Sequence, residues 1–272
     1  MAGILVVDDG SDDGTYDLVA DRTDISCLRL DSNEGKGAAV AAGIELVSKR
    51  ISEGLVLMAD ADGSGNIESL DDLYDNVVDI LQEQQERGRN ARHGNEGNTN
   101  ADGSESLRLS LLEQEDASAR QQMNHNAGGP SLGTDRSFWR YPAIVVGDRG
   151  DRGGSPARSV LRWGFQNAVQ LICGDLGVQD TQCGFKLMTL EAGKLLYNDL
   201  NLRGWTHDVE VLFRARELGV PVGQHHVEWT DVDGSKLVTS PGGTVGVSLM
   251  MLLEILEMQD EYGSGNWELP KR

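Results

Sequence analysis

The chain has 272 residues with 39% hydrophobic content, enough for one large α/β domain or two small ones around a real core. Its 44 acidic against 24 basic residues give a formal net charge of −20, which argues against nucleic acid or a bare anionic membrane as the main partner and leaves room for a local basic pocket that takes an anion. Cys27, Cys173 and Cys183 are odd in number and lack metal-ligand spacing, so they read as free thiols in a reducing compartment.

The opening MAGILVVDDGSDDGT holds only a short apolar run that ends in carboxylates, unlike a secretory signal. Short apolar runs then alternate with helical patterns. ILVVDD reads as a strand, Gly14 to Ala20 as a helix, ISCLRL as a strand, GKGAAVAAGIELVSKRI as a helix and GLVLMADAD as a strand. This alternation predicts βαβ units and a mixed, mostly parallel sheet flanked by helices, with ligands at the carboxyl ends of the strands. From about Glu83 to Arg136 the composition turns to Gln, Asn, Gly, Ser, Glu and Arg, which bury too little apolar surface to offset ordering entropy, so a disordered insertion is expected. The fold resumes with a strand in YPAIVVGDRGD, a helix in ARSVLRWGFQNAVQLIC, a loop in GVQDTQCGFKLM and a helix in LEAGKLLYNDL. GWTHDVEVLFRARELG and PVGQHHVEWTDVDGSKL follow. The longest apolar stretch, Val245 to Met258, is shorter than the roughly 20 residues a bilayer requires and contains Glu254, so it reads as an amphipathic or core helix. As the best candidate to touch lipid it has a broad apolar face and no Lys or Arg, and weak membrane contact at most is expected of it.

Two readings compete for MADADGSGNIESLDD. Asp60, Asp62, Ser64, Gly65, Asn66, Ile67 and Asp71 follow the spacing of a calcium loop. An EF-hand needs flanking helices, however, and GLVLMA is a strand-length apolar run after a helix stop, while Asp71 replaces the usual bidentate Glu. The preferred reading is a strand ending in an Asp-x-Asp pair, in which residues two apart point the same way and present oxygen to one hard cation, Mg2+ or Mn2+. The alternative is that Asp62 caps a turn at DGSG. Earlier, the doublet Asp8-Asp9 lies at a tight turn, where a carboxylate can accept hydrogen bonds from a base or ribose. Helix capping explains Ser11 to Asp13 equally well, though not the doublet. Lys36, between two glycines at a helix start, suits an anion; an exposed Lys in a Gly-rich loop is the plainer alternative.

In this order and spacing, VVDDGSDDGT, NEGKGAAVAAGI and LMADADGS resemble the nucleotide-sugar half of an inverting glycosyltransferase of family 2 with a GT-A type fold. VVGDR, RSVLRWGFQ, VQDTQCGFKLMT, GWTHDVEVLFRARELGVPV and VEWTDVDGSKL narrow the resemblance to the dolichyl-phosphate β-glucosyltransferases, and less closely to the dolichyl-phosphate mannosyltransferases. The resemblance implies a single domain, with a nucleotide-sugar half at 1–82, the insertion at 83–136, an acceptor half at 137–240 and an apolar helix and tail at 241–272. It implies transfer of glucose from UDP-glucose to dolichyl phosphate at the cytoplasmic face of the endoplasmic reticulum membrane, with no nucleic-acid partner and no protein partner inferable. Asp60 and Asp62 would take the metal, Asp8 and Asp9 the nucleoside, and Lys36, Arg149, Arg158, Arg162 and Lys236 the phosphates. Asp180 and Gln182 through Lys186 would lie beside the sugar, and Asp208 and Glu210 near the acceptor, unless they only anchor the loop carrying Lys186. Trp205 and Trp229 are expected in the core, and His225-His226 on a strand surface. The family's N-terminal anchor and first strand have no counterpart ahead of Ile4, so a truncated chain or a catalytically inactive nucleotide-binding remnant is the further alternative.

Overall fold

The computed structural model describes residues 3–95, 139–150, 156–230 and 243–271, with the side chains of residues 91–95, 156–159 and 244 excepted. The chain divides into two units, one of residues 1–82 with 137–272 and one of residues 83–136.

In the larger unit, strand β1 (Ile4–Asp8) leads to helix α1 (Thr15–Ala20) and pairs in parallel with β2 (Ile25–Arg29), from Ile4 opposite Ile25 to Asp8 opposite Arg29. Helix α2 (Lys36–Arg50) packs on β1 through a face of small residues. A Cβ at Gly43 would stand 3.0 Å from Val7 Cγ2, so the small residue permits close approach of helix and strand. Lys49 and Arg50 close the helix with positive charge against its C-terminal dipole.

Four further strands form the second sheet, in the order β3 (Leu55–Ala59), β5 (Phe185–Thr189), β4 (Ile144–Asp148), β6 (Val222–His226). β5 runs antiparallel to both β3 and β4, while β4 and β6 are parallel. The architecture is thus a mixed sheet flanked by helices, GT-A-like, with two parallel and two antiparallel pairings among the described strands. Among these residues β1 pairs only with β2 and β3 only with β5, so the sheet is in two pieces. Ala143 and residues 144–146 of β4 are fully buried, as their unbroken apolar run requires of a strand covered on both faces.

Helix α4 (Pro156–Cys173) follows β4, α5 (Leu190–Tyr197) and α6 (His207–Glu217) follow β5, and α7 (Gly243–Ser264) packs on α4 and α6. Thr189 caps α5 by accepting a hydrogen bond from the Ala192 amide.

Two expectations from sequence are corrected. GVQDTQCGFKLM is not all loop, because its end forms β5, a strand with neighbours on both sides. The lysine that interrupts its apolar run is itself buried. At Glu83 the predicted disorder begins too early, since helix α3 (Leu70–Asn95) continues through it. Leu73, Val77 and Leu81 anchor the first turns of α3 in the core, and the Glu, Gln and Arg that follow are good helix formers. The rest of the expected insertion, from residue 96 to 136, lies outside the described residues, as does the unit it belongs to beyond residue 95.

Candidate active site

The β3–β5 ladder carries the first carboxylate. Beyond the pairing of Ala59 with Phe185, the Asp60 amide donates to the Gly184 carbonyl at 3.0 Å, which fixes the Asp60 backbone although the strand has ended. A Cβ at Gly184 would overlap the Asp60 carboxylate, so that side chain occupies space only a glycine leaves. Asp62 sits in the turn that follows, where its Oδ1 accepts the Ser64 amide at 2.9 Å. The two carboxylates therefore do not share a strand face, and the alternation argument fails for Asp62 because the turn begins before it. The turn-capping alternative describes its contact with Ser64.

Lys36, the first residue of α2, reaches across to Asp60, with Nζ 2.6 Å from Oδ1. The same ammonium lies 5.5 Å from the centroid of Trp205, which is 40% exposed rather than a core aromatic. Asp9 positions this lysine. Its two oxygens accept the amides of Glu34 at 2.8 Å and Gly35 at 2.9 Å, fastening the loop that enters α2. Gly35 takes φ +100° and packs so closely on the Arg203 carbonyl that a side chain there would clash. Asp8 is buried, accepts the Ser11 amide and faces Arg29 at 3.4 Å. Each Asp9 oxygen accepts one backbone amide and keeps a further acceptor site.

Beneath the Lys36–Asp60 pair lies a second cluster. Lys186 is fully buried in β5 and donates to Asp208 Oδ1 at 2.7 Å and to the Cys183 carbonyl at 2.5 Å. Asp208 and His207 open α6, with His207 Nε2 3.2 Å from the same Asp208 oxygen and Nδ1 2.8 Å from the Gly204 carbonyl. Gly37 brings the start of α2 against His207, at a separation where a Cβ would be 2.5 Å from the His207 Cβ. Burial opposes the charged Asp208 carboxylate, but His207, Lys186 and Lys36 outweigh it and hold the group at about 2. For His207, burial together with the two ammonium groups outweighs Asp208 and lowers its pKa. The result is an ionised carboxylate held between cations at the junction of β5, α2 and α6.

The remaining candidates separate into two groups. Arg149, at the end of β4, forms a bidentate pair with Asp180, Nε to Oδ2 at 2.5 Å and Nη2 to Oδ1 at 2.7 Å, and lies 5.3 Å over the Trp229 ring. The Gln182 amide also contacts Asp180 at 3.4 Å. Glu210, expected near the acceptor, is fully buried and accepts the Asn201 and Leu202 amides, the Tyr262 hydroxyl and Arg214. It anchors the loop before α6 and not the loop carrying Lys186, and its two-residue offset from Asp208 along the helix turns it away from the Asp208 cluster. Arg162 donates to the Gly150 carbonyl at 3.5 Å. The Arg158 side chain and Lys236 lie outside the described residues. His225 and His226 lie in β6, His225 facing Asp72 at 3.6 Å. Burial pushes the Cys183 thiol up to about 11, in keeping with an unreactive thiol.

Sequence reasoning missed His207, expected Trp205 in the core, and named Gly184 only as part of the loop beside the sugar. The signal for His207 was its position beside Asp208; for Gly184, its place directly before a strand whose lysine seemed out of place.

Among the described residues no three His, Cys, Asp or Glu side chains gather to hold a metal. Mg2+ is commonly held by one or two carboxylates, with phosphate and water completing its shell, so Asp60 and Asp62 meet the protein's share of that donor set.

Residues 3–103 match the family model described as Glycosyl transferase family 2. The chain is 29% identical to the dolichyl-phosphate beta-glucosyltransferase of Dictyostelium discoideum, over 98% of this chain and 65% of that protein. It is 28% identical to the Homo sapiens protein of that name, over 98% of this chain and 66% of the relative. To the Drosophila melanogaster one it is 30% identical, over 86% and 57%. The chain thus spans just under two thirds of the length of the curated relatives it matches along most of its own length.

Proposed function

We propose that this chain, a match to glycosyltransferase family 2 over residues 3–103, transfers glucose from UDP-glucose to dolichyl phosphate with inversion at the anomeric carbon. The observation that carries the proposal is the Lys36–Asp60 pair at the carboxyl end of β3, seated beside the buried Asp208–Lys186 pair. Two phosphate groups must approach each other in this reaction, and fixed cations at a strand end suit that need.

A phosphate-monoester acceptor is already an anion at neutral pH, so no strong general base is required of the protein. An acceptor oxygen attacks the anomeric carbon from the side opposite the diphosphate. The new C–O bond forms as the bond to the UDP oxygen breaks, and the electron pair departs with UDP. Lys36 exchanges Asp60 for a diphosphate oxygen, and Trp205 shields its ammonium from water. Asp208 keeps Lys186 in place, and that lysine braces the Cys183 carbonyl of the loop beside the sugar. Asp60 and Asp62 would hold Mg2+ or Mn2+, which when bound supplies positive charge to the leaving diphosphate. Action at the cytoplasmic face of the endoplasmic reticulum membrane is part of the same proposal and rests on the resemblance; the names of the relatives supply the dolichyl-phosphate acceptor.

A second reading, a nucleotide-binding remnant without turnover, is favoured by the sheet being in two pieces among the described residues. One experiment separates the readings: labelled UDP-glucose or a nucleotide-mannose donor is supplied with dolichyl phosphate in detergent. Glucosyl transfer requiring a divalent cation is expected. Transfer of mannose alone would replace the substrate, and metal-dependent UDP binding with no transfer would select the remnant.

A further inference from the structure

Both oxygens of Asp60 are engaged. Oδ2 lies against the Gly184 backbone, in the space a Cβ would fill, and Oδ1 holds the Lys36 ammonium at 2.6 Å. The pair is shielded, with 19% of the Lys36 side chain and 27% of the Asp60 side chain exposed, so it persists where a surface pair would fray. The backbone of the lysine is pinned as well. Asp9 accepts the Glu34 and Gly35 amides just before it, the Arg203 carbonyl accepts the Ala38 amide at 3.2 Å just after it, and Gly37 packs against His207. Any exchange of partner is therefore made by the Lys36 side chain, with its helix start held still.

We infer that Lys36 is a latch on the cation seat: it holds Asp60 against a divalent cation arriving by itself and releases it only when a donor diphosphate draws the ammonium away. The inference rests on the proposed reading, in which Asp60 and Asp62 hold Mg2+ or Mn2+ and Lys36 moves to the diphosphate. With the ammonium retained on Oδ1, a divalent cation at Asp60 would meet like charge at close range, in a site too shielded for salt to screen it fully. Asp62 is a weak seat by itself, because it offers a single carboxylate, one oxygen of which accepts the Ser64 amide at 2.9 Å, and no phosphate completes the shell. A diphosphate changes both terms. It gives Lys36 anionic oxygens in place of the carboxylate, which frees Asp60, and it adds phosphate ligands for the cation. Cation and donor are thus coupled through one side chain, and linkage requires each to tighten the other by the same factor. Lys36 returns to Asp60 when the UDP product leaves, which resets the site for the next donor.

The test titrates the full chain with Mn2+ by electron paramagnetic resonance, with and without UDP, after correction for the Mn2+–UDP complex in solution. Without UDP the unaltered chain is expected to bind Mn2+ weakly, and Lys36→Met to bind it about tenfold or more tightly. Saturating UDP should tighten Mn2+ binding to the unaltered chain, and by a smaller factor in Lys36→Met. Arg203→Met removes a neighbouring cation that pairs with Glu34 and not with Asp60, so its Mn2+ affinity should stay within about twofold of the unaltered chain. Adding Asp60→Asn to Lys36→Met should cancel the gain, which places it at that carboxylate; Lys36→Gln serves in the same way if Lys36→Met fails to fold. The latch is overturned if neither Lys36 variant binds Mn2+ more tightly than the unaltered chain, if Arg203→Met gains as much, or if the gain survives Asp60→Asn. An Asp60-dependent gain in a chain that transfers no glucose would leave the latch standing and remove the glucosyltransferase reading. Glucosyl transfer by a chain in which Lys36→Met brings no gain would do the reverse.

Discussion

Lys36 and Asp60 are 24 positions apart in sequence and form one ion pair, so each is expected to fail differently when altered. Lys36→Met removes the cation offered to the diphosphate and leaves Asp60 in place through its backbone bond to Gly184. Turnover should fall by roughly two orders of magnitude or more, with the melting temperature within a few degrees of the unaltered protein. Asp62→Asn keeps the bond to Ser64 and removes a charge proposed to hold the cation; a similar loss of turnover is expected, and full activity of that variant in EDTA would sink the metal assignment. His207 and Asp208 make stability depend on pH at two different places. The folded pKa of His207 is lowered, so the unfolded chain binds the extra proton first and stability is lost as pH falls below the ordinary value of 6.5. The folded pKa of Asp208 is lowered from 3.8 to about 2, so its contribution is present above the first value and is lost as pH falls toward the second. Denaturation midpoints measured from pH 8 to 2 should show both losses, and His207→Gln should abolish the one at higher pH and shrink the other, because His207 is among the groups that hold Asp208 down.

At the scale of elements, β5 and α6 hold the site together by burying charge. Lys186 on β5 and Asp208 on α6 are both withdrawn from solvent, so breaking the pair by Lys186→Met leaves an uncompensated carboxylate and should cost about 3–5 kcal/mol in urea denaturation. Replacing both partners with apolar residues should recover part of that stability while leaving turnover low. Glu210 gives the contrasting case. Glu210→Ala strands Arg214 and the amides of Asn201 and Leu202, and a loss of comparable size, about 3 kcal/mol or more, is expected. Gly184→Ala should leave strand pairing intact yet displace Asp60, seen as lost turnover with little change in circular dichroism.

For the whole molecule, the extent of α3 changes where the chain can be shortened. Excising residues 83–136 would cut into a helix whose Leu73, Val77 and Leu81 are buried. Replacing residues 96–136 with a Gly/Ser link keeps that helix, and a melting temperature within a few degrees of the full chain is expected because the removed composition offers little to a core. A large fall would show that the segment is structural.

The sequence by itself determined the elements whose patterns are local. ILVVDD, GLVLMA and AIVVG are runs of strand length, GKGAAVAAGIEL has helical spacing, and the order of the acidic and Gly-Lys-Gly motifs pointed to a nucleotide-sugar fold. Local pattern could not find β5, because Lys186 reads as a solvent-facing residue until Asp208, 22 positions later, is folded against it. Nor could it separate Asp9, which fastens a loop, from Asp60, which meets a lysine, or Asp208 in the charge cluster from Glu210 two positions on. Carboxylates look alike in a sequence. Their roles depend on which donors the fold brings within about 3 Å, and on how far burial strengthens or penalises each charge, and both are set by contacts between distant segments.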